Sequence, residues 1–127
     1  MDDVLEPTFI NSEETEIVTK NTQFYLGPAG SGAPMHFHRG AWNALVYGRK
    51  RWMVQPPPAA VYSRLHPSEW IRRHYQDAKD AGTVMECVQD SGDVLFIPEA
   101  WGHSVLNLAE SIGYASEFEW GASEFSI

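Results

Sequence analysis

Short β-strand patterns separated by turn residues run along most of this chain, and they constrain its fold more than any other feature. β-branched and aromatic residues alternate with polar ones in short runs that recur at a spacing of roughly 8–12 residues. The predicted strands cover residues 23–26, 35–38, 42–47, 51–55, 85–89, 94–97, 103–108 and 112–120. Many short strands in one small chain predict an all-β sandwich or barrel, with a jelly roll as its natural closure.

One helical stretch interrupts the strands, at roughly Ser68 to Asp77, where Ser68 can act as the N-cap and apolar residues recur at helical spacing. We expect this helix to be an insertion on the outside of a sheet. Residues 42–47 and 51–55 are predicted to form a hairpin that turns around Gly48. The Pro56-Pro57-Pro58 run ends this pairing, because proline has no N–H to donate.

Length and charge narrow the class of protein. The chain has 127 residues, enough for one domain with a single core. The first twenty residues are acidic and weakly periodic, so we predict an acidic N-terminal arm over 1–20 and one domain over 21–127. The formal net charge of -8 would repel a phosphate backbone, so no nucleic-acid binding is expected.

Cysteine usage and hydropathy predict the compartment. Cys87 is the sole cysteine, so no intrachain disulfide can form, and a reduced compartment is expected. We expect Cys87 to be a buried, inert thiol on its strand. No apolar run approaches the length of a membrane span, and the acidic start does not resemble a signal peptide. The prediction is a soluble protein, cytoplasmic or nuclear by default.

Three histidines have the spacing of a metal site. His36 and His38 flank Phe37 in a predicted strand, where alternate side chains point to the same face. His103 opens a second predicted strand, and two antiparallel strands side by side would bring the three imidazoles together. The alternative is that an H-x-H pair occurs by chance, with the imidazoles bonded to backbone.

The remaining aromatic and imidazole side chains have ordinary structural interpretations. The large aromatic residues Trp42, Trp52, Phe96 and Trp101 are predicted to lie in the core, with Trp101 the one that faces the cavity. His66 and His74 flank the helical insertion and are expected on the surface.

Four linked motifs resemble the JmjC domain of the cupin superfamily over about residues 24–118. They are His-Phe-His within 31–38, Tyr-Gly-Arg-Lys-Arg-Trp within 41–52, Gly-Asp-Val-Leu-Phe-Ile-Pro at 92–98 and Trp-Gly-His at the start of 101–108. Four motifs in order and at suitable spacing are far more specific than any one of them. The resemblance implies a double-stranded β-helix that holds Fe(II) and 2-oxoglutarate and hydroxylates or demethylates a substrate, often a protein side chain.

Site residues are carried over from that resemblance one at a time. His36 matches the first metal ligand and His103 the distal one. Lys50 matches the lysine that pairs with the far carboxylate of 2-oxoglutarate, while Asn43 and Asn107 match residues near the cosubstrate. Lys50 has an alternative interpretation, since a basic triplet at a strand edge is often solvated and blocks strand pairing.

The sequence also departs from the family pattern. His38 stands where the family has aspartate or glutamate, and Ala33, Ala115 and Glu117 replace polar residues near the cosubstrate. A third neutral imidazole leaves the metal complex one unit more positive. Three-histidine sites suit Fe(II), Zn(II), Ni(II) or Cu(II), and the resemblance makes Fe(II) the expected metal, with Zn(II), Ni(II) or another divalent metal as alternatives. Glu117 is a candidate fourth ligand or an acceptor for an imidazole N–H.

Three functions are compatible with these residues. The first is a 2-oxoglutarate-dependent oxygenase acting on a protein or small molecule. The second is a catalytically weak or inactive cupin module whose acidic exterior binds a protein partner. The third is a three-histidine dioxygenase that does not use 2-oxoglutarate. A homodimer is compatible with each.

Overall fold

The computed structural model describes residues 17–120, and side chains over 21–118. In this part of the chain eight strands form two antiparallel sheets of four, with a cavity between them. The first sheet has the order β1-β8-β3-β6 and the second β2-β7-β4-β5. The strands are β1 (Ile17–Gly27), β2 (Gly32–His36), β3 (Ala41–Tyr47), β4 (Arg49–Gln55), β5 (Met85–Asp90), β6 (Val94–Ile97), β7 (Gly102–Asn107) and β8 (Ser111–Trp120). The predicted all-β jelly roll with one helical insertion is confirmed.

The helical insertion lies between β4 and β5, after a short 3-10 turn at Pro57–Ala59. It comprises α1 (Pro67–Trp70), a π-helical turn (Ile71–Tyr75) and α2 (Gln76–Asp80). The N-cap is His66, whose side chain accepts from the backbone N–H of Ser68, so the expected capping role of Ser68 is wrong. Trp70 packs on Met35 and Met53 of the second sheet, on the face away from the cavity. The helix therefore lies outside the sandwich, as predicted.

The predicted hairpin around Gly48 is wrong. β3 pairs with β6 and β8 in the first sheet, whereas β4 pairs with β5 and β7 in the second. Gly48 has a φ of +108°, and a Cβ at this position would lie 2.3 Å from the carbonyl oxygen of Glu110. Only glycine fits this corner, where the chain crosses from one sheet to the other.

Two of the four aromatic residues predicted in the core are fully enclosed. Trp42 and Trp52 are 0% and 4% exposed, but Phe96 is 44% exposed on an edge strand. Trp101 lines a separate apolar pocket of about 280 Å³ beside Ile97, so its predicted place in the main cavity is wrong. Cys87 is exposed on edge strand β5, which overturns its expected burial. His66 and His74 are exposed, as predicted.

The first strand begins earlier than expected. β1 starts at Ile17, inside the predicted arm, and this residue pairs with Trp120 of β8. Most of the arm, residues 1–16, lies outside the described residues, as do residues 121–127. No helix in the described part is both long and apolar enough to cross a membrane.

Candidate metal centre

The main cavity lies between the two sheets and has a volume of about 420 Å³. All six residues predicted to bind a metal or a cosubstrate line it: His36, His38, Asn43, Lys50, His103 and Asn107. His103 and Asn107 are on the same face of β7 and four residues apart, which separates their Cα atoms by roughly 13 Å. The strand therefore joins a histidine-rich end of the cavity to an amide- and lysine-lined end.

The three histidines meet at one end of the cavity. His36 and His103 are direct partners in the pairing of β2 with β7, and their ring centroids are 4.2 Å apart. The ring of His38 lies 4.7 Å from that of His103 and 5.3 Å from that of His36. One nitrogen from each residue lies within 4.8 Å of the other two, so the cluster could hold a metal ion.

His38 reaches this cluster by a different route from the one predicted. β2 ends at His36, so His38 does not share a strand face with it. The backbone N–H of Ala100 donates to the carbonyl of His38 at 2.9 Å. The ring of Tyr62 lies 4.2 Å from that of Phe37 at a tilt of 35°, and its hydroxyl donates to the carbonyl of Phe37 at 2.9 Å. These contacts, rather than strand alternation, place His38.

Backbone carbonyls determine which imidazole nitrogen carries the proton. A carbonyl oxygen only accepts hydrogen bonds, so a ring nitrogen bonded to one carries the proton. In all three histidines that nitrogen is Nδ1, with acceptors at 2.7 Å for His36 (Pro34), 2.7 Å for His38 (Arg39) and 3.0 Å for His103 (Trp101). In the neutral form of each ring, Nε2 then has the free lone pair with which imidazole binds a metal.

His103 is the most buried of the three, at 5% exposure. Burial, together with the neighbouring His36 and His38, lowers its pKa to about 4. The imidazole is therefore neutral at physiological pH. A neutral ring is required of a metal ligand, so the fold supplies this donor without competition from protons.

Glu117 of β8 lies beside His38. Its Oε1 is 3.4 Å from Nδ1 of His38, the nitrogen that also donates to the carbonyl of Arg39. Because this contact is on the Nδ1 side of the ring, the carboxylate lies behind the imidazole, on the side opposite Nε2. This arrangement favours the role of an outer acceptor over that of a fourth ligand.

Lys50 faces into the cavity and is only 5% exposed. Its neighbours Arg49 and Arg51 point outward and pair with Asp90 and Glu86, as strand alternation requires. The Nζ of Lys50 lies 3.9 Å from the centre of the Tyr25 ring, and no carboxylate pairs with it among the described residues. Burial lowers the pKa of Lys50 to about 8. The interpretation of Lys50 as a solvated edge residue is therefore wrong.

Tyr25 is a cavity residue that the sequence did not reveal. Its hydroxyl donates to Oδ1 of Asn43 at 2.6 Å, and burial raises its pKa to about 12. The flanking Phe24 and Leu26 are each 64% exposed. Apolar residues usually mark the buried face, so alternation in this segment predicts the opposite orientation.

The two asparagines line the cavity with different hydrogen bonds. Asn43 accepts from Tyr25, whereas Asn107 donates its Nδ2 to the hydroxyl of Ser31 at 2.9 Å. The Oδ1 of Asn107 is buried and has no hydrogen-bond partner in the part of the chain that the structure describes. Ala33 and Ala115 also line the cavity, so the small side chains leave this space open.

Comparisons with known proteins identify the family. A family model described as "JmjC domain" matches residues 6–123. The chain is 36% identical over 110 residues to "Arginine-specific demethylase JMJ22" of Arabidopsis thaliana, an alignment that covers 73% of this chain and 22% of that protein. It is 36% identical over 93 residues to human "JmjC domain-containing protein 8", covering 70% and 34% of the two proteins.

A third relative is human "2-oxoglutarate and iron-dependent oxygenase JMJD4", 32% identical over 110 residues, with 69% of this chain and 24% of that protein covered. The chain thus spans about a fifth to a third of the length of these relatives.

Solved structures agree on the fold. YcfD, a ribosomal oxygenase from Escherichia coli, superposes with a TM-score of 0.58 at 16% identity, covering 83% of this chain and 24% of that one. The same enzyme in complex with cobalt and succinic acid gives a TM-score of 0.57 with the same identity and coverage. From the match of the family model and the identity to these relatives, this chain belongs to the JmjC domain family.

Proposed function

We propose that this domain is an Fe(II)- and 2-oxoglutarate-dependent oxygenase with a three-histidine metal site. The observation that carries the proposal is that one cavity holds three free Nε2 lone pairs and, farther along it, a buried lysine without a carboxylate partner among the described residues. 2-Oxoglutarate has a metal-chelating 2-oxo acid at one end and a carboxylate at the other. Its two ends have the chemistry that the two ends of the cavity would bind.

His36, His38 and His103 would hold the metal through Nε2. Three neutral nitrogen donors suit several divalent metals, and Fe(II) is favoured because relatives are named as iron-dependent oxygenases. The related ribosomal oxygenase has been solved with cobalt and succinic acid, a dicarboxylate. Iron, when bound, would supply the activation of dioxygen.

Glu117 would offset the charge that is lost where His38 replaces a carboxylate. Placed 3.4 Å from Nδ1 of His38, it puts a negative charge one imidazole away from the metal. A carboxylate behind a ligating histidine raises the basicity of the ring and fixes its orientation. The negative charge that the family's ligand carboxylate provides would then come from Glu117, which contacts a ligand of the metal and not the metal itself.

Lys50 and Asn43 would bind the far carboxylate of the cosubstrate. The ammonium of Lys50 supplies the opposite charge, and the ring of Tyr25 holds it by a cation–π contact. Because Tyr25 donates its hydroxyl proton to Asn43, we assign Tyr25 to positioning. Asn107 borders the same end of the cavity.

The substrate would be a protein side chain. Two of the relatives named here act, by name, on arginine or on the ribosome, and the cavity has only about 420 Å³ to share between a cosubstrate and a side chain. The domain is proposed to begin with β1 at Ile17, inside the arm predicted over 1–20, and to extend to residue 127.

The test combines metal binding with cosubstrate binding. Metal-free protein is loaded anaerobically with Fe(II), its metal content is measured by mass spectrometry, and 2-oxoglutarate is titrated by calorimetry. We expect one iron per chain, loss of iron in His103→Ala, and loss of 2-oxoglutarate binding in Lys50→Ala. His74→Ala and Lys79→Ala, both on the exposed helix, are the matched controls. Release of succinate would then establish turnover.

The replacement of the carboxylate ligand by His38 also favours a second candidate, a non-catalytic JmjC module that binds a protein partner. This candidate predicts a folded protein that retains no metal and binds 2-oxoglutarate equally with or without Lys50. That result would contradict the oxygenase proposal.

A further inference from the structure

Gln89 of β5 is almost completely buried, at 2% exposure, and contacts Trp52 and Asn43, two residues that line the cavity. It is the residue opposite Lys50 in the pairing of β4 with β5. Its side-chain oxygen accepts one hydrogen bond, and the two N–H groups of its nitrogen are shared among three acceptors, two of them backbone carbonyls. A buried amide that is satisfied this fully has a fixed orientation, and it can impose that orientation on its neighbours.

The orientation of the Gln89 amide follows from groups that have only one hydrogen-bonding role. Its Oε1 accepts from the indole N–H of Trp52 at 2.9 Å, and an indole can only donate. Its Nε2 donates to the backbone carbonyls of Asn43 at 3.0 Å and Asp93 at 3.2 Å, and carbonyls can only accept. The Gln89 amide cannot be flipped, because flipping would set its NH2 group against the indole N–H and its oxygen against the two carbonyls.

This fixed amide determines the orientation of the next one. Nε2 of Gln89 is also 3.3 Å from Oδ1 of Asn43, which shares the N–H groups of Gln89 with the two carbonyls. Because Nε2 can only donate, it favours an oxygen of Asn43 at this place over a second NH2 group. Tyr25 then donates to the same oxygen at 2.6 Å. Oδ1 of Asn43 is therefore fully used, and Nδ2, with its two N–H groups, is the end of the amide that remains for a ligand in the cavity.

We propose that Gln89 is a positioning residue that makes Asn43 present a donor rather than an acceptor to an anion held by Lys50. The inference rests on the proposed function, since it concerns how the same cavity selects a carboxylate. Tyr25 alone would not fix the orientation of the Asn43 amide, because a hydroxyl can either donate to its oxygen or accept from its nitrogen. When Gln89 holds Asn43 in this orientation, a bound carboxylate faces the ammonium of Lys50 and the N–H groups of Asn43. The amide oxygen of Asn43, which would repel a carboxylate, points away from it.

The substitution Gln89→Glu tests this arrangement at nearly constant size. A carboxylate keeps the bond from Trp52 but cannot donate to Asn43, so the Asn43 amide is free to turn its oxygen to the cavity. Loss of one donor to a charged ligand predicts 2-oxoglutarate affinity about tenfold weaker or more. Zn(II) affinity should be unchanged, because the histidines are untouched. Gln55→Glu, a buried glutamine of β4 outside the cavity, is the matched control and should retain 2-oxoglutarate binding.

A second measurement uses the wild-type protein. The chain has four asparagines, so selective ¹⁵N labelling gives a simple side-chain amide spectrum, with Asn43 assigned from Asn43→Ala. In Zn(II)-loaded protein we expect weak nuclear Overhauser effects between the Asn43 amide protons and the Tyr25 ring, and a shift of those protons on adding 2-oxoglutarate. In Gln89→Glu the effects to Tyr25 should become strong.

Two outcomes would overturn the inference. One is strong nuclear Overhauser effects between the Asn43 amide protons and the Tyr25 ring already in the wild type, and the other is full 2-oxoglutarate affinity in folded Gln89→Glu. Failure of the proposed function is distinguishable, since the wild type would then not bind 2-oxoglutarate at all, while the orientation of Asn43 can still be measured in the free protein.

Discussion

The carboxylate of Glu117 lies 3.4 Å from Nδ1 of His38, on the side of the ring opposite its free nitrogen. In the proposed metal site, this carboxylate would place a negative charge one residue away from the metal. The pair comes from β8 and from the loop after β2, two segments that are far apart in the sequence.

Glu117→Gln should weaken metal binding about tenfold or more, because outer partners of ligating histidines typically contribute that much to affinity. The change keeps the size of the side chain and removes its charge. The measurement is Zn(II) affinity by competition with a chromogenic chelator. Glu110→Gln, on an exposed loop, is the control. Equal affinities for the two variants would mean that Glu117 does not contribute to the site.

Binding of 2-oxoglutarate should decrease as pH rises, because burial lowers the pKa of Lys50 to about 8. The ammonium form predominates below that pH and is lost above it. Between pH 7 and pH 9 we expect affinity to fall about tenfold, as one proton is lost per site. Calorimetric titration measures the change. Lys50→Arg retains its charge throughout, so a pH dependence that survives in this variant would have another source.

Lys50→Met should stabilise the unliganded protein at pH 7. Burial lowers the pKa of Lys50 because the charged ammonium is destabilised in the folded state. A shift from 10.5 to about 8 corresponds to a loss of folding free energy of about 3 kcal/mol. Methionine removes the charge and keeps much of the apolar stem. Urea unfolding gives the free energy, and Lys79→Met on the exposed helix should change it by less than about 0.5 kcal/mol. A destabilised Lys50→Met would show that the lysine is structural.

His103 should make the metal-free protein sensitive to acid. Its pKa is about 4 in the folded protein and 6.5 for the unperturbed side chain, so the unfolded state binds a proton more readily. Stability therefore decreases as pH falls below about 6.5, by about 2 kcal/mol at pH 5. Because other groups titrate as well, the quantity to measure is the difference in unfolding free energy between wild type and His103→Gln at pH 7 and pH 5. A constant difference would exclude His103 as the cause.

Gly48→Ala should destabilise the fold by about 3 kcal/mol or more, because it combines a left-handed backbone with a backbone collision at Glu110. Gly30→Ala separates the two effects. Gly30 also has a positive φ, +84°, but a Cβ there would meet no atom within 4 Å. Gly30→Ala should therefore lower the free energy of unfolding by only about 1 kcal/mol. Thermal unfolding compares them, and similar losses would mean that the contact with Glu110 can relax.

The accuracy of the sequence predictions depends on how local each feature is. Strand positions are set by alternation within a few residues, so nearly all of them agree with the structure to within a few residues. Pairing is different, as Gly48 shows. The residues on either side of it resemble a hairpin, but each strand finds its partners far away in the chain, in different sheets.

The same distinction applies to single side chains. Alternation of apolar and polar residues predicts burial for both Trp101 and Cys87, yet Trp101 lines a different pocket and Cys87 is exposed on an edge strand. Tyr25 could not be assigned to the cavity because its apolar neighbours Phe24 and Leu26 point to solvent.

By itself, the sequence determined the all-β class, the helical insertion, and the set of histidines, lysine and asparagines that line one cavity, because motif order and alternation are carried by the chain itself. Only the tertiary structure decided that His38 reaches the cluster from beyond the end of β2 and that Lys50 is buried without a carboxylate partner in the described region. It also placed Glu117 behind His38. Those relationships depend on which strands pair and on what surrounds each polar group, and neither is encoded by any short stretch of residues.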